Sequence, residues 1–308
     1  MKHMLINGVE TSRVGLGCMR IGEMSVEKLE ELIAKCLEVG INFFDHADIY
    51  GQGNSEKLFG EVLKRHPEYR EKMMIQTKCG VRRSTNTNYY DFSKEYILKS
   101  VDGCLERLGL DYVDIFLLHR PDILMDPKEV AEAFDELYES GKVKYFGVSN
   151  FNSMQLELLQ KYCKHKLMFN QLQFNPVTST MITSSVFTNR FDEEALDRDG
   201  SILDYCRLHD ITIQPYSILQ ISKYMGSYLD NPNYEDLNRL LEEYANKYNV
   251  TKTAIVLAWI LKHPANMLPL VGTTSPKHLE EIVKGSDIEL TREEWYFIYH
   301  AAVKKRLP

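Results

Sequence analysis

Asp45, Tyr50, Lys78 and His119 give this chain an acid, a phenol, an amine and an imidazole, and three of them close apolar runs. INFFD ends on Asp45, MMIQT runs into Lys78, and IFLLH ends on His119. These types suit proton transfer to a carbonyl oxygen that becomes negative as hydride reaches its carbon. Tyr50 is the natural donor, although a free phenol, with a pKa of roughly 10, transfers its proton poorly near neutrality. An adjacent Lys78 ammonium is expected to favour the phenolate and lower that value, with Asp45 holding the lysine charged. Neutral His119 can donate a hydrogen bond that orients the carbonyl. Taken singly, each has a structural explanation as an ion-pair member, a half-buried phenol or a core imidazole. Together they supply every role in one scheme.

Residues this far apart in sequence meet when parallel strands end on one face of a barrel. The chain carries the needed alternation. Asn7-Gly8 between two short strands reads as a tight hairpin, expected to plug or flank the barrel. VGLGCM from Val14 then reads as the first barrel strand. Ser25, Ser93 and Asp126-Pro127 open helices of apolar period 3.6, which Gly40, Gly109 and Gly141 end before INFFD, VDIFLLH and YFGVS. FNQLQF from Phe169, ITIQPY from Ile211 and NMLPLVG from Asn266 bring the strands to eight, with helices from Asn152, Ile202, Tyr234, Thr251 and Pro276. The expected fold is α/β: a (β/α)8 TIM barrel with a short N-terminal β-hairpin, in one domain over residues 1–308. A doubly wound sheet is set aside because GLGCMRIG places Arg20 where a phosphate-binding loop has its third glycine. Residues 176–200 form the longest irregular segment, expected to lie over cofactor or substrate.

A net charge of −7 argues against nucleic acid or an anionic membrane as partner. The longest apolar run, AIVLAWIL from Ala254, is too short to span a bilayer, and MKHMLINGVE lacks a signal peptide's apolar stretch. The six cysteines show neither a C-x-x-C pair nor zinc-ligand spacing. A cytoplasmic protein with reduced thiols and no metal is expected; oligomeric state is left open.

The chain resembles the aldo-keto reductase superfamily, specifically a bacterial subgroup with an LLHRPD histidine segment. The motifs that carry the likeness are FDHADIYGQGNSE, QTKCG, LLHRPD, FGVSNF, NQLQFNP, QPYSIL and PLVGTTSPKHLEE, which together span nearly the whole chain. His46 stands where a threonine is common. The resemblance implies a (β/α)8 barrel that reduces a small aldehyde or ketone with NADPH, with Asp45, Tyr50, Lys78 and His119 as the catalytic set. It also implies that Ser149, Asn150 and Gln171 bond the nicotinamide carboxamide and that Tyr216 stacks on the ring. Ser149 and Asn150 could alternatively cap the next helix. Phosphates are expected near Ser217, Leu219, Gly272, Thr273, Thr274 and Ser275, where free N–H groups open a helix. Gly17, Met19 and Arg20 are expected at the nicotinamide end, alongside Asp45.

Gly272 and His278, with Lys277 adjacent, replace a frequent lysine and arginine around the adenosine 2′-phosphate, and Ile282 replaces an asparagine near adenine. Lys277, His278 and Glu281 remain the expected adenosine contacts. NADP is therefore the favoured cofactor and NAD the alternative. The activity expected is NAD(P)H-dependent carbonyl reduction. The other readings are a cofactor-binding redox sensor or regulatory subunit with little turnover and, more remotely, a metal-dependent barrel hydrolase.

Overall fold

The computed structural model describes residues 2–6, 8–83, 88–122, 124–186, 201–222 and 225–304. Eight parallel strands form the barrel: β1 (Gly15–Gly17), β2 (Phe43–Asp45), β3 (Met74–Cys79), β4 (Val113–Leu118), β5 (Val143–Ser149), β6 (Leu167–Gln173), β7 (Thr212–Tyr216) and β8 (Leu270–Val271). Neighbours in sequence pair from β1 to β7, and β8 lies beside β1. The ring closes at a parallel bridge between Ile213 and Met267, with Ile213 N donating to Asn266 O and Leu268 N to Ile213 O, both at 2.9 Å. Pro269, which has no N–H to give, separates that bridge from β8. The NMLPLVG run is therefore a bridge and a two-residue strand rather than one continuous strand.

The helices lie outside. They are α1 (Val26–Glu38), α2 (Asn54–Arg65), α3 (Lys94–Leu108), α4 (Pro127–Glu139), α5 (Ser153–Gln160), α6 (Thr180–Val186), α7 (Ile202–Leu208), α8 (Glu235–Tyr248), α9 (Lys252–Lys262), α10 (Pro276–Val283) and α11 (Arg292–Val303). Ser25, Ser93 and Asp126 each accept a backbone N–H at the start of α1, α3 and α4. Gly40, Gly109 and Gly141 follow those helices at φ +82°, +66° and +74°, the left-handed turn that glycine makes without a Cβ penalty. VGLGCM yields a shorter strand than expected, because Cys18–Glu23 turns at once into a 3₁₀ helix. The sequence reading passed over α2, α11 and two small hairpins, 81–83 with 88–90 and 220–222 with 226–227. Thr180–Val186 is helical, which corrects the view of 176–200 as irregular throughout; residues 187–200 lie outside the described residues.

The N-terminal hairpin pairs His3–Ile6 with Val9–Ser12. It plugs the barrel: buried Ile6 packs with Phe43, Ile115, Leu117, Met168, Phe169, Leu268 and Leu270 inside the strands' N-terminal half. Above this apolar floor the interior turns polar, with Asp45, Gln76, Lys78, Gln171 and Gln214 all buried. All six cysteines are buried free thiols.

Candidate active site

Asp45 ends β2 and Lys78 lies one residue inside β3, so the pleat brings both into the upper barrel. Lys78 Nζ donates to Asp45 Oδ1 at 2.5 Å and to the His46 carbonyl at 2.7 Å. With the two residues 0% and 2% exposed, this is a fully desolvated ion pair. Burial lowers the lysine's proton affinity, and the Asp45 charge and hydrogen bond oppose that shift. A buried ion pair persists only when close geometry and further hydrogen bonds offset desolvation. Here Asp45 Oδ1 also accepts from Gln76 Nε2 at 2.6 Å and from Gln171 Nε2 at 3.1 Å.

Tyr50 opens a 3₁₀ turn over Tyr50–Gly53 in which Gly51, Gln52 and Gly53 all take positive φ. Its ring meets His119 edge to face, centroids 5.8 Å apart at 83°, and Lys78 Nζ lies 4.9 Å from its centroid. The phenol's pKa is pushed well above its ordinary value, by the protein packed around it first and by the Asp45 charge second. This corrects the expectation that Lys78 pulls it down. Burial and the Asp45 charge set the direction, with Arg120 acting the opposite way in favour of the phenolate. Tyr50 is thus held as a protonated phenol, the form that donates. His119 follows β4, and burial, then Lys78 and Arg120, keep its imidazole neutral by lowering its pKa well below the ordinary value. Its buried Nδ1 has no hydrogen-bond partner among the described residues.

The ends of β5, β6 and β7 bring Ser149, Asn150, Gln171 and Tyr216 together. Ser149 Oγ donates to the Gln171 carbonyl at 3.0 Å and accepts from Asn150 Nδ2 at 2.8 Å. Tyr216 donates its hydroxyl to Asn150 Oδ1 at 2.9 Å. Asn150 holds φ +62°, and Asn152 caps α5, so Ser149 and Asn150 are not the cap. Gln171 uses its amide nitrogen within the protein and keeps Oε1 free of partners among the described residues. A carbonyl oxygen left free beside an aromatic platform fits a flat ring bearing an amide.

Gly17 lies against the last strand, where an added Cβ would come within 3.9 Å of Gly272 Cα. Exposed Met19 and Arg20 continue into the turn that packs on the Tyr50 loop, with Asn54 Nδ2 donating to the Gly22 carbonyl at 2.5 Å. Ser217 takes φ +51° just past β7, and Leu219 follows, half-buried. Ser275 caps α10, and Thr273 Oγ1 accepts its N–H at 3.1 Å, which shapes the Gly272, Thr273, Thr274 loop. Lys277 is 82% exposed and lies 3.9 Å from Glu281, with His278 at the same helix start. Ile282 is core-buried.

Phe92 is core: it packs so closely on Gly80 that a Cβ there would lie 2.1 Å from its ring. Cys79, beside Lys78, is buried with its thiol pKa raised, an inert position. Three residues of this neighbourhood had not been singled out as site residues. Gln76 and Gln214 sit inside apolar runs, where their only signal is a polar residue on the barrel's inner face. Arg120, the residue after His119, donates to the Tyr216 hydroxyl at 3.3 Å. Among the described residues no His, Cys, Asp and Glu cluster could hold a metal, and no helix is long and apolar enough to cross a membrane.

A family model described as the Aldo/keto reductase family matches residues 13–301. The chain is 34% identical over 313 residues to the uncharacterized oxidoreductase YcsN of Bacillus subtilis, covering 99% of this chain and 98% of that protein. It is 31% identical over 312 residues to a 6-dehydroglucose reductase of Agrobacterium fabrum, covering 98% of each. Among solved structures, the thermostable aldo-keto reductase Tm1743, crystallised with the inhibitor epalrestat, superposes with a TM-score of 0.77 at 27% identity, covering 98% of this chain and 100% of that one.

Proposed function

The chain belongs to the aldo/keto reductase family, an oxidoreductase family, and from that premise we propose that it reduces a small aldehyde or ketone to an alcohol with NAD(P)H, Tyr50 donating the proton. The observation that carries this reading is the buried Asp45–Lys78 pair beside a protonated phenol and a neutral imidazole meeting edge to face. A bound nicotinamide dinucleotide supplies the hydride. His119 hydrogen-bonds the carbonyl oxygen and orients it toward Tyr50. The Tyr50 hydroxyl gives its proton to that oxygen as charge develops there, and Arg120 stabilises the phenolate left behind. Asp45 holds Lys78 in place beside the phenol ring.

Ser149, Asn150, Gln171 and Tyr216 would hold the nicotinamide. Ser217, Leu219 and the loop of Gly272, Thr273, Thr274 and Ser275 would hold the phosphates, and Lys277, His278 and Glu281 the adenosine, with Gly17, Met19 and Arg20 at the ring's edge. NADP is the favoured form because Lys277 offers a cation and His278 a ring N–H donor to a 2′-phosphate; NAD is the alternative. The relative from Agrobacterium makes 6-dehydroglucose the first substrate for a carbonyl panel. Stopped-flow absorbance with NADPH and with NADH tests the reading. Tyr50→Phe should keep dinucleotide affinity and lose about 10²- to 10⁴-fold in turnover, the usual range for a general acid. Turnover unchanged in that variant removes Tyr50 from the role.

A further inference from the structure

Three glutamine side chains, each 2% exposed or less, lie on the inner face of the barrel directly beneath its mouth. Gln76 Nε2 donates to Asp45 Oδ1 at 2.6 Å and to Gln214 Oε1 at 2.8 Å, and Gln214 Nε2 returns a bond to Gln76 Oε1 at 2.9 Å. Gln171 Nε2 donates to Asp45 Oδ1 at 3.1 Å and to Gln214 Oε1 at 3.2 Å. An ionised carboxylate only accepts hydrogen bonds, so Asp45 requires Gln76 and Gln171 to face it with nitrogen. Gln214 must then set its oxygen between those two nitrogens and its own nitrogen on Gln76. One charge thereby decides the orientation of three amides, and Gln171 Oε1 is the acceptor left over.

We propose that Gln76 and Gln214 are positioning residues whose reciprocal amide pair locks Gln171 with its carbonyl oxygen toward the ligand, so that this chain selects a nicotinamide ring whose substituent carries an N–H donor. The inference rests on the dinucleotide-binding reading above. A carboxamide can give its N–H to a locked Gln171. A 3-acetylpyridine ring offers the same carbonyl and, in place of the amine, a methyl group that cannot donate. With one of its two N–H bonds removed, Gln171 can turn about the other and donate to the acetyl oxygen instead, so unlocking restores affinity for the analogue.

Calorimetric titration of the full chain with the oxidised dinucleotide and its 3-acetylpyridine analogue, each with and without the 2′-phosphate, reads this without turnover. The native protein should prefer the carboxamide form by roughly tenfold, the cost of one buried acceptor left unmet. The Gln76→Leu/Gln214→Leu double variant should bring the two within about threefold. Replacing both partners of a buried polar pair with apolar groups is tolerated better than removing one. Should the double variant lose its fold by circular dichroism, Gln214→Leu alone, which leaves Gln76 on Asp45, makes the same comparison. A ratio that stays the same in a folded variant overturns the proposal, as does a native protein that binds both rings equally. A native protein that binds neither dinucleotide overturns the functional reading, and the inference falls with it.

Discussion

His46 follows Asp45 directly, and its ring is fully buried against Phe59, centroids 4.5 Å apart at 75°, with neither nitrogen hydrogen-bonded among the described residues. Burial first, then the Lys78 charge, lowers its pKa from 6.5 to about 3. Below pH 6.5 the unfolded chain takes a proton here that the folded chain refuses. His46 therefore costs no stability above pH 6.5 and progressively more as pH falls toward 3, at up to about 1.4 kcal/mol per pH unit for one proton. The neutral His119 adds to the same limb. Urea midpoints measured from pH 7 to pH 4 should fall less steeply for His46→Thr than for the native protein; parallel slopes would exclude His46 as a source. At this scale Asp45, Lys78 and His119 stood out because each closes an apolar run, and Tyr50 because it follows Asp45 by five residues. Gln76 and Gln214 did not, since their meaning lies in bonding each other across the barrel, 138 residues apart in sequence, beside the one carboxylate that Gln76 reaches.

The α2 helix shows what sequence patterning leaves out at the scale of elements. Its apolar positions Phe59, Val62 and Leu63 are buried at helical spacing, yet they follow FDHADIYGQGNSE, whose residue types point to chemistry rather than to a helix start. Its N-terminus carries no side-chain cap, and Gly53 precedes it at φ +88°. By contrast α1, α3 and α4 announce themselves with a capping oxygen at one end and a left-handed glycine at the other. The α2 helix is held against α3 at Gly60, where a Cβ would lie 2.6 Å from the Arg107 carbonyl oxygen and 2.7 Å from that of Leu108. Neither backbone atom can rotate away. Gly60→Ala should cost about 1–3 kcal/mol, as overpacking does, despite alanine's better helix propensity. A melting temperature equal to or above the native value would show that the helices have room to separate.

For the molecule as a whole, alternation of strands and capped helices pointed to the barrel in advance, and the strand ends pointed to the face on which the candidate site lies. The polarity gradient along the barrel axis emerges only from the assembled ring, with the hairpin's Ile6 under an apolar floor and charged or amide groups above. The seam between β7 and β8 is equally a product of assembly, because Pro269 breaks the run that would otherwise spell the last strand. The C-terminal helix α11 was passed over although Thr291 and Glu294 form a capping box and Trp295, Ile298, Tyr299 and Ala302 are buried at helical spacing. It docks through Trp259 and Trp295, whose rings stack at 4.9 Å and 5° while each indole N–H donates to the other's carbonyl, at 3.0 and 2.9 Å. The long-range pairing of two tryptophans leaves no periodic trace.

The burial of all six thiols gives the molecule a chemical clock. A chromogenic disulfide reagent should find none of them on mixing with native protein and all six once urea has unfolded it; prompt colour from the native state would contradict the closed packing. Cys18, Cys36, Cys79 and Cys104 belong to the first half of the ring, and Cys163 and Cys206 to the second. Whether colour develops in a single phase or in a two-thirds and one-third split then tells whether the barrel opens as one body or as two.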